Sequence, residues 1–134
     1  MKHKLKLAYM KCAEAFAECS PANRLKVGAV LVKNNRIISC GYNAFPEHIN
    51  GSCELPDGTT DPRVRHAEKN ALIGLTTSTE SAIGSVLFTT HSCCLFCAID
   101  IVDSKINSVY YRNTYRSTEG LEYLEKHGVK VFKI

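Results

Sequence analysis

Three side chains in this 134-residue sequence have the types that hold a soft metal ion: His66, Cys94 and Cys97. A fourth group, Glu68, stands two residues beyond the histidine. A catalytic zinc keeps three protein ligands and leaves its fourth position to water, whereas a structural zinc usually closes with a fourth protein ligand. In a helix, side chains share a face at spacings of three or four, so Glu68 and His66 point in different directions. Glu68 is thus free to serve the open side of the ion as a proton carrier without being a ligand. A lone His-x-Glu or a lone Cys-x-x-Cys carries little weight. Both together, in this order and each opening a helix, are specific. A structural zinc site and a redox Cys-x-x-Cys pair are the competing readings, and neither uses Glu68.

The elements that must position these groups follow from periodicity. Leu5, Ala8, Tyr9, Cys12, Phe16 and Cys19 recur at helical spacing, and Ser20-Pro21 ends that helix. Lys26–Val32 and Arg36–Tyr42 predict a hairpin around Asn34-Asn35, a pair that tolerates positive φ. Residues 43–63 hold three prolines and two glycines and read as one long loop, the kind that is usually functional. A helix follows from Val64 to about Leu75, then a buried-type strand at Val86–Thr90. Leu95, Ala98, Ile99 and Val102 mark the next helix. Asn107–Arg112 reads as a strand, Thr118–His127 as a helix stopping at Gly128, and Val129–Ile134 as a last alternating strand. The order α-β-β-α-β-α-β-α-β implies a sheet with parallel members and helices on both faces.

Composition narrows the class. With 45% hydrophobic and 22% charged residues the chain has a globular balance, which excludes a wholly disordered protein. No apolar run approaches the roughly 20 residues of a membrane span. The net charge of +4 suits a phosphorylated small molecule and does not demand nucleic acid. Seven cysteines, an odd number, argue against a secreted disulfide scaffold. The basic start, Met1 to Lys6, runs into an amphipathic segment and does not read as a signal peptide. The expected compartment is therefore reducing and cytoplasmic (the host cytoplasm for a viral protein). Cys12, Cys19 and Cys40 are expected in the core as small hydrophobes.

The metal constellation resembles the zinc-dependent nucleoside and nucleotide deaminases, whose signature is H-x-E followed by P-C-x-x-C. The resemblance implies that His66, Cys94 and Cys97 hold Zn2+. It also implies that Glu68 moves protons from water to the ring and to the leaving ammonia. One position departs: Cys93 stands where the signature has proline. Proline would pre-organise the helix start, and Cys93 adds a third thiol as a rival ligand, with Cys94 and Cys97 preferred because their two-residue spacing is the common zinc one.

The rest of the chain is similar to the deoxycytidylate (dCMP) deaminase branch. The markers are Lys26-Val27-Gly28-Ala29-Val30, Gly41-Tyr42-Asn43, Cys53-Glu54, His66-Ala67-Glu68-Lys69-Asn70-Ala71, and Tyr110-Tyr111-Arg112 with Tyr115 beyond. That resemblance implies an α/β fold of the cytidine deaminase type: a three-layer α/β/α sandwich on a five-stranded mixed sheet, in one domain over residues 1–134. It implies hydrolysis of dCMP to dUMP and ammonia, the reaction that supplies the thymidylate precursor. Asn43 would bind the sugar 3′-hydroxyl, Ala67 and Tyr115 would line the nucleotide, and Lys26, Arg112, Arg24 and Arg116 are candidates for its phosphate. Lys26 is the first choice among them.

The branch also implies activation by dCTP, with Mg2+, and inhibition by dTTP at a site between subunits of a hexamer, built partly by the long loop. Cys53-Glu54 fits that pattern; Ala44 and Phe45-Pro46-Glu47-His48 depart from it. His48, Cys53 and Cys19 form a candidate second zinc site. His91 is either a group behind the ligands or a plain loop residue. Two other functions stay open: a deaminase of another cytosine or adenine substrate, tRNA adenosine included, and a catalytically inactive zinc-binding regulatory module. The tRNA-editing type has a much shorter stretch between the positions of Asn43 and His66, and a more basic C-terminal helix.

Overall fold

Alternation along the strands sorts the side chains onto two faces. In β1 (Gly28–Lys33), Ala29 and Leu31 face one way, and Val30 and Val32 the other. Each set anchors a separate core. The computed structural model describes residues 1–134, and its remaining elements are α1 (His3–Ala17), β2 (Arg36–Tyr42), α2 (Ala67–Gly74), β3 (Val86–His91), α3 (Leu95–Asp103), β4 (Ser108–Asn113), α4 (Glu119–Lys126) and β5 (Lys130–Lys133). A 3₁₀ turn at Leu75–Thr77 extends α2.

The sheet order is β2-β1-β3-β4-β5. β1 pairs antiparallel with β2 and β3, while β3, β4 and β5 run parallel. The β1–β2 connection uses Asn34 and Asn35 at φ 52° and 58°, as the two-residue turn requires. α1 covers one face, where Tyr9, Met10 and Ala13 pack on Val30, Val32, Phe88 and Tyr110. The opposite face packs Ala29, Leu31, Leu87 and Val109 under Ala67, Ala71, Ala98, Ile101 and Leu124 of α2, α3 and α4. The result is the three-layer α/β/α sandwich with a mixed five-stranded sheet. No helix is long and apolar enough to cross a membrane.

The buried stripe of α1 is rotated from the expected one. Its buried residues are Tyr9, Met10, Ala13 and Ala17, whereas Leu5 is exposed and Cys12 and Phe16 only partly covered. Small alanines let the helix lie close on β1, and closeness rather than side-chain size sets the contact face. The cysteine expectation is corrected as well. Cys19 and Cys40 are exposed and Cys12 half-buried, and the buried cysteines are Cys53, Cys93 and Cys97.

Gly41, next to last in β2, lies against the start of α2. A side chain there would overlap the carbonyl of Ala67 and meet the amide of Ala71. Its bare backbone lets the helix carrying Glu68 sit directly on the sheet. Asn70 then ties α2 to the strand by donating from Nδ2 to the Tyr42 carbonyl at 2.8 Å.

Candidate active site

The α2 and α3 starts converge above the carboxyl end of β3. His66 is the N-cap residue of α2, and Cys94 is that of α3. The Cys94 sulfur accepts from the Cys97 amide at 3.5 Å, doing the work of an oxygen cap. His66 Nδ1 lies 3.4 Å from both Cys94 Sγ and Cys97 Sγ. All three donor atoms fall within 4.8 Å of one another, the one such cluster in the molecule. Ordinary zinc–sulfur and zinc–nitrogen bonds at tetrahedral angles separate such donors by about 3.5 Å. The trio therefore fits a single ion in both chemistry and spacing.

Electrostatics agree. The Cys94 thiol is pulled down to about 4 by its hydrogen bonds with Cys97 and His66. Cys97 is pushed up, as the thiol that donates to Cys94 and because it is buried. The contact with Cys94 raises His66. Such a cluster offers a ready thiolate and gives up its remaining proton when a cation enters.

Glu68 is buried at 4% exposure, and burial raises its carboxyl above the usual range. Its Oε1 is 3.1 Å from the hydroxyl of Thr89. Glu68 lines a cavity of about 430 Å³ together with His66, Ala67 and Cys94. That volume lies in the range of small-molecule sites, about 300–1,000 Å³. Asn43, Tyr115, Arg24, Arg116 and His91 also line it, as do Cys53, Glu54 and Thr60 from the long loop and Val64, which stands before α2 and not in it as expected.

Residues 3–113 match the family described as the cytidine and deoxycytidylate deaminase zinc-binding region. The chain belongs to that family. Among solved structures it is similar to the dCMP deaminase of cyanophage S-TIM5 in complex with dCMP and dUMP. The identity is 47%, the TM-score 0.98, and the match covers all of this chain and 99% of that one. The deoxycytidylate deaminase of Mycobacterium phage D29 is 34% identical over 117 residues, 77% of this chain and 90% of that protein. The deoxycytidylate deaminase of Saccharomyces cerevisiae is 30% identical over 135 residues, 92% of this chain. The chain spans only 42% of the yeast protein's length.

Within this deaminase fold the sequence-predicted residues divide. His66, Glu68, Cys94, Ala67, Asn43 and Tyr115 surround the cavity, with Cys97 completing the metal cluster. Lys26 and Arg112 do not line it. Lys26 is exposed just before β1. Arg112 shares the α1 face of β4 with Tyr110 and reaches to 4.0 Å from Glu14 of α1. Strand parity explains the correction: Tyr111 and Arg112 face opposite sides, and Arg112 turns away from the helices that carry the metal cluster.

Asn43 does more than line the wall. Its Oδ1 accepts from the Val27 amide and its Nδ2 donates to the Leu25 carbonyl, both at 2.8 Å. The amide keeps one lone pair and one N–H unspent for a ligand. Cys93 is no competing ligand. It is buried at 1% in the apolar core, burial pushes its thiol up, and its sulfur lies outside the metal cluster. His48 is exposed, Cys19 is exposed and Cys53 is buried, and the three do not assemble into a second metal cluster.

Sequence reasoning missed Thr89 and Ser92 and left His91 undecided. The Thr90 hydroxyl accepts from the Gly28 amide at 3.1 Å and pairs with His91 Nδ1 at 3.0 Å. Burial lowers the pKa of His91. Ser92 Oγ accepts from the Tyr115 amide at 2.6 Å and fixes that loop beside the cavity. Only the β3 pairing reveals these contacts.

Proposed function

We propose that this protein hydrolyses the exocyclic amine of dCMP, giving dUMP and ammonia and supplying the thymidylate precursor. The observation that carries the reading is Glu68, a buried carboxyl on the same cavity wall as the His66, Cys94 and Cys97 cluster. The phage relatives support dCMP as the substrate. Residues 1–134 act as one deaminase domain.

His66, Cys94 and Cys97 would hold zinc, which when bound supplies a Lewis acid that brings the pKa of water toward neutrality. Glu68 takes up a proton at its free carboxylate oxygen and delivers it to the ring nitrogen, then carries a second to the departing amine. Burial suits it to this work, because a carboxyl raised from its ordinary range holds a proton long enough to pass it on. Asn43 presents its spare amide valences to the sugar hydroxyl. Ala67, with no side chain beyond Cβ, leaves room for the base, and Tyr115 closes the wall. Arg24 and Arg116 are the two guanidinium groups on the cavity and hold the 5′-phosphate. Lys26 and Arg112, once candidates for that role, are not needed for it.

The experiment is ultraviolet loss of the cytosine chromophore with the zinc-loaded protein on dCMP, deoxycytidine and CMP in parallel. The account expects dCMP to turn over well above the other two. Equal silence on all three overturns it and returns the inactive-module and nucleic-acid readings.

Regulation extends the same reading: dCTP with Mg2+ activates, dTTP inhibits, and the working form is a hexamer. The support is that the 43–66 loop contributes Cys53, Glu54, Thr60 and Val64 to the cavity wall, so an effector that selects one loop arrangement changes the site. Sigmoid rates that dCTP makes hyperbolic are expected, and indifference to dCTP contradicts this extension alone.

A further inference from the structure

Thr89 breaks the apolar pattern of its sheet face. It lies in β3 opposite Ala29 of β1, two residues from Leu87, on the face that packs the apolar core under α2, α3 and α4. Ala29 and Leu87 beside it on that face are apolar, yet Thr89 is a hydroxyl with no exposure at all. A buried hydroxyl needs partners, and this one has two. It stands 3.1 Å from Glu68 Oε1 and 2.9 Å from the carbonyl of His91.

The hydroxyl has one hydrogen and two lone pairs. The His91 carbonyl can only accept. Thr89 therefore meets Glu68 in one of two ways. It donates to Oε1 of a carboxyl that is bare or protonated on its other oxygen, or it donates to the His91 carbonyl and accepts from a proton on Oε1. Both arrangements keep the same heavy-atom positions. With Oε1 engaged in either case, the second carboxylate oxygen is the one left to the cavity that Glu68 lines.

We propose that Thr89 is a positioning residue for the reaction: its hydroxyl anchors Oε1 of Glu68 on the sheet, and so aims the other oxygen at the substrate throughout the proton transfers. The proposal rests on the reading of Glu68 as the proton carrier. Thr89 does not line the cavity, so it acts through Glu68 and leaves nucleotide binding alone.

The test compares Thr89→Val, Thr89→Ser and Glu68→Gln on dCMP, with zinc content and melting temperature measured for each. Thr89→Val removes the hydroxyl and keeps the branched shape. Its kcat is expected to fall roughly ten- to a hundredfold, the worth of one hydrogen bond to a charged group. KM for dCMP should stay within about twofold, and zinc should stay bound. Thr89→Ser restores the hydroxyl and should recover kcat to within about threefold of the wild type. Should the valine variant not fold, Thr89→Cys keeps a side chain of similar size with a weaker donor, and its kcat should fall below that of the serine variant.

A valine variant with wild-type kcat overturns the proposal. So does equal loss in the valine and serine variants, which would mark a packing role, and so does a cysteine variant matching the wild type. Glu68→Gln separates the two layers of the argument. If it stays active, the proton-carrier reading and this proposal fall together. If it is dead while Thr89→Val runs at full rate, Thr89 alone is wrong.

Discussion

Gly120 of α4 lies so close to Cys93 that the first carbon of any side chain there would overlap the Cys93 carbonyl oxygen, with the Cys94 carbonyl close behind. The helix that follows β4 thus seats the backbone turn from which Cys94 and Cys97 project. Absence of a Cβ, rather than a proline, fixes this turn from outside. Gly120→Ala is expected to cost about 1–3 kcal/mol by overpacking and to weaken zinc retention. Thermal unfolding and metal content after dialysis check it; a variant unchanged in both contradicts it.

Asn43 bridges the end of β2 to the segment before β1 through two hydrogen bonds of 2.8 Å. At about 1 kcal/mol each, Asn43→Ala should destabilise the fold by about 2 kcal/mol. Leu25 and Val27 line the cavity, so KM for dCMP should rise as well. Urea unfolding and steady-state kinetics on one preparation show whether both effects appear. Loss of stability with KM unchanged would confine Asn43 to a structural part.

Arg24 and Arg112 make a matched pair of charge deletions. Arg24 lines the cavity, while Arg112 faces α1 beside Glu14. A charged hydrogen bond to phosphate is worth roughly 1.5–3 kcal/mol. Arg24→Gln should therefore raise KM for dCMP about tenfold or more, with deoxycytidine kinetics unaffected. Arg112→Gln should leave both nearly unchanged. The reverse ranking would move the phosphate to the other side of the sheet.

Glu54 supplies a pH dependence. Its Oε1 accepts from the amides of Asn23 and Arg24 at 2.8 and 3.1 Å. These bonds hold its carboxyl below the usual range. A carboxyl depressed in the folded state contributes stability above its unfolded pKa of about 4.3, and loses it as pH falls through the lower folded value. Glu54→Gln should be less stable than the wild type at neutral pH, with the gap closing in acid. Urea midpoints across that range test it, and a gap that stays constant with pH contradicts it.

Much of this architecture is legible in the sequence because its signals are local. The nine helices and strands follow from periodicity, and Asn34, Asn35 and Gly128 occupy their expected positive-φ positions. The metal trio is legible because His66 and Cys94 each open a helix and Cys97 stands in the first turn behind Cys94. Lys26 and Arg112 lie off the cavity because nearness to a site in sequence does not fix which way a side chain turns. For Arg112, only the identity of the covering helix says which. The apolar run places Val27 in the first strand, but its amide bonds to the Asn43 side chain and the strand begins at Gly28. Thr89 was hidden because a threonine in a strand is unremarkable until a carboxylate folds over it.

The central claim is hydrolysis at the exocyclic amine carbon of dCMP, driven from the Glu68 cavity. Zinc-loaded wild type and Glu68→Gln should be incubated with dCMP in heavy-oxygen water and the nucleotide weighed by mass spectrometry. The account predicts dUMP with one heavy oxygen at C4, one ammonia released for each, and a Glu68→Gln rate lower by about 10²–10⁴ at unchanged zinc content. Unaltered dCMP from the wild type, or labelled dUMP formed as fast by Glu68→Gln, would contradict it.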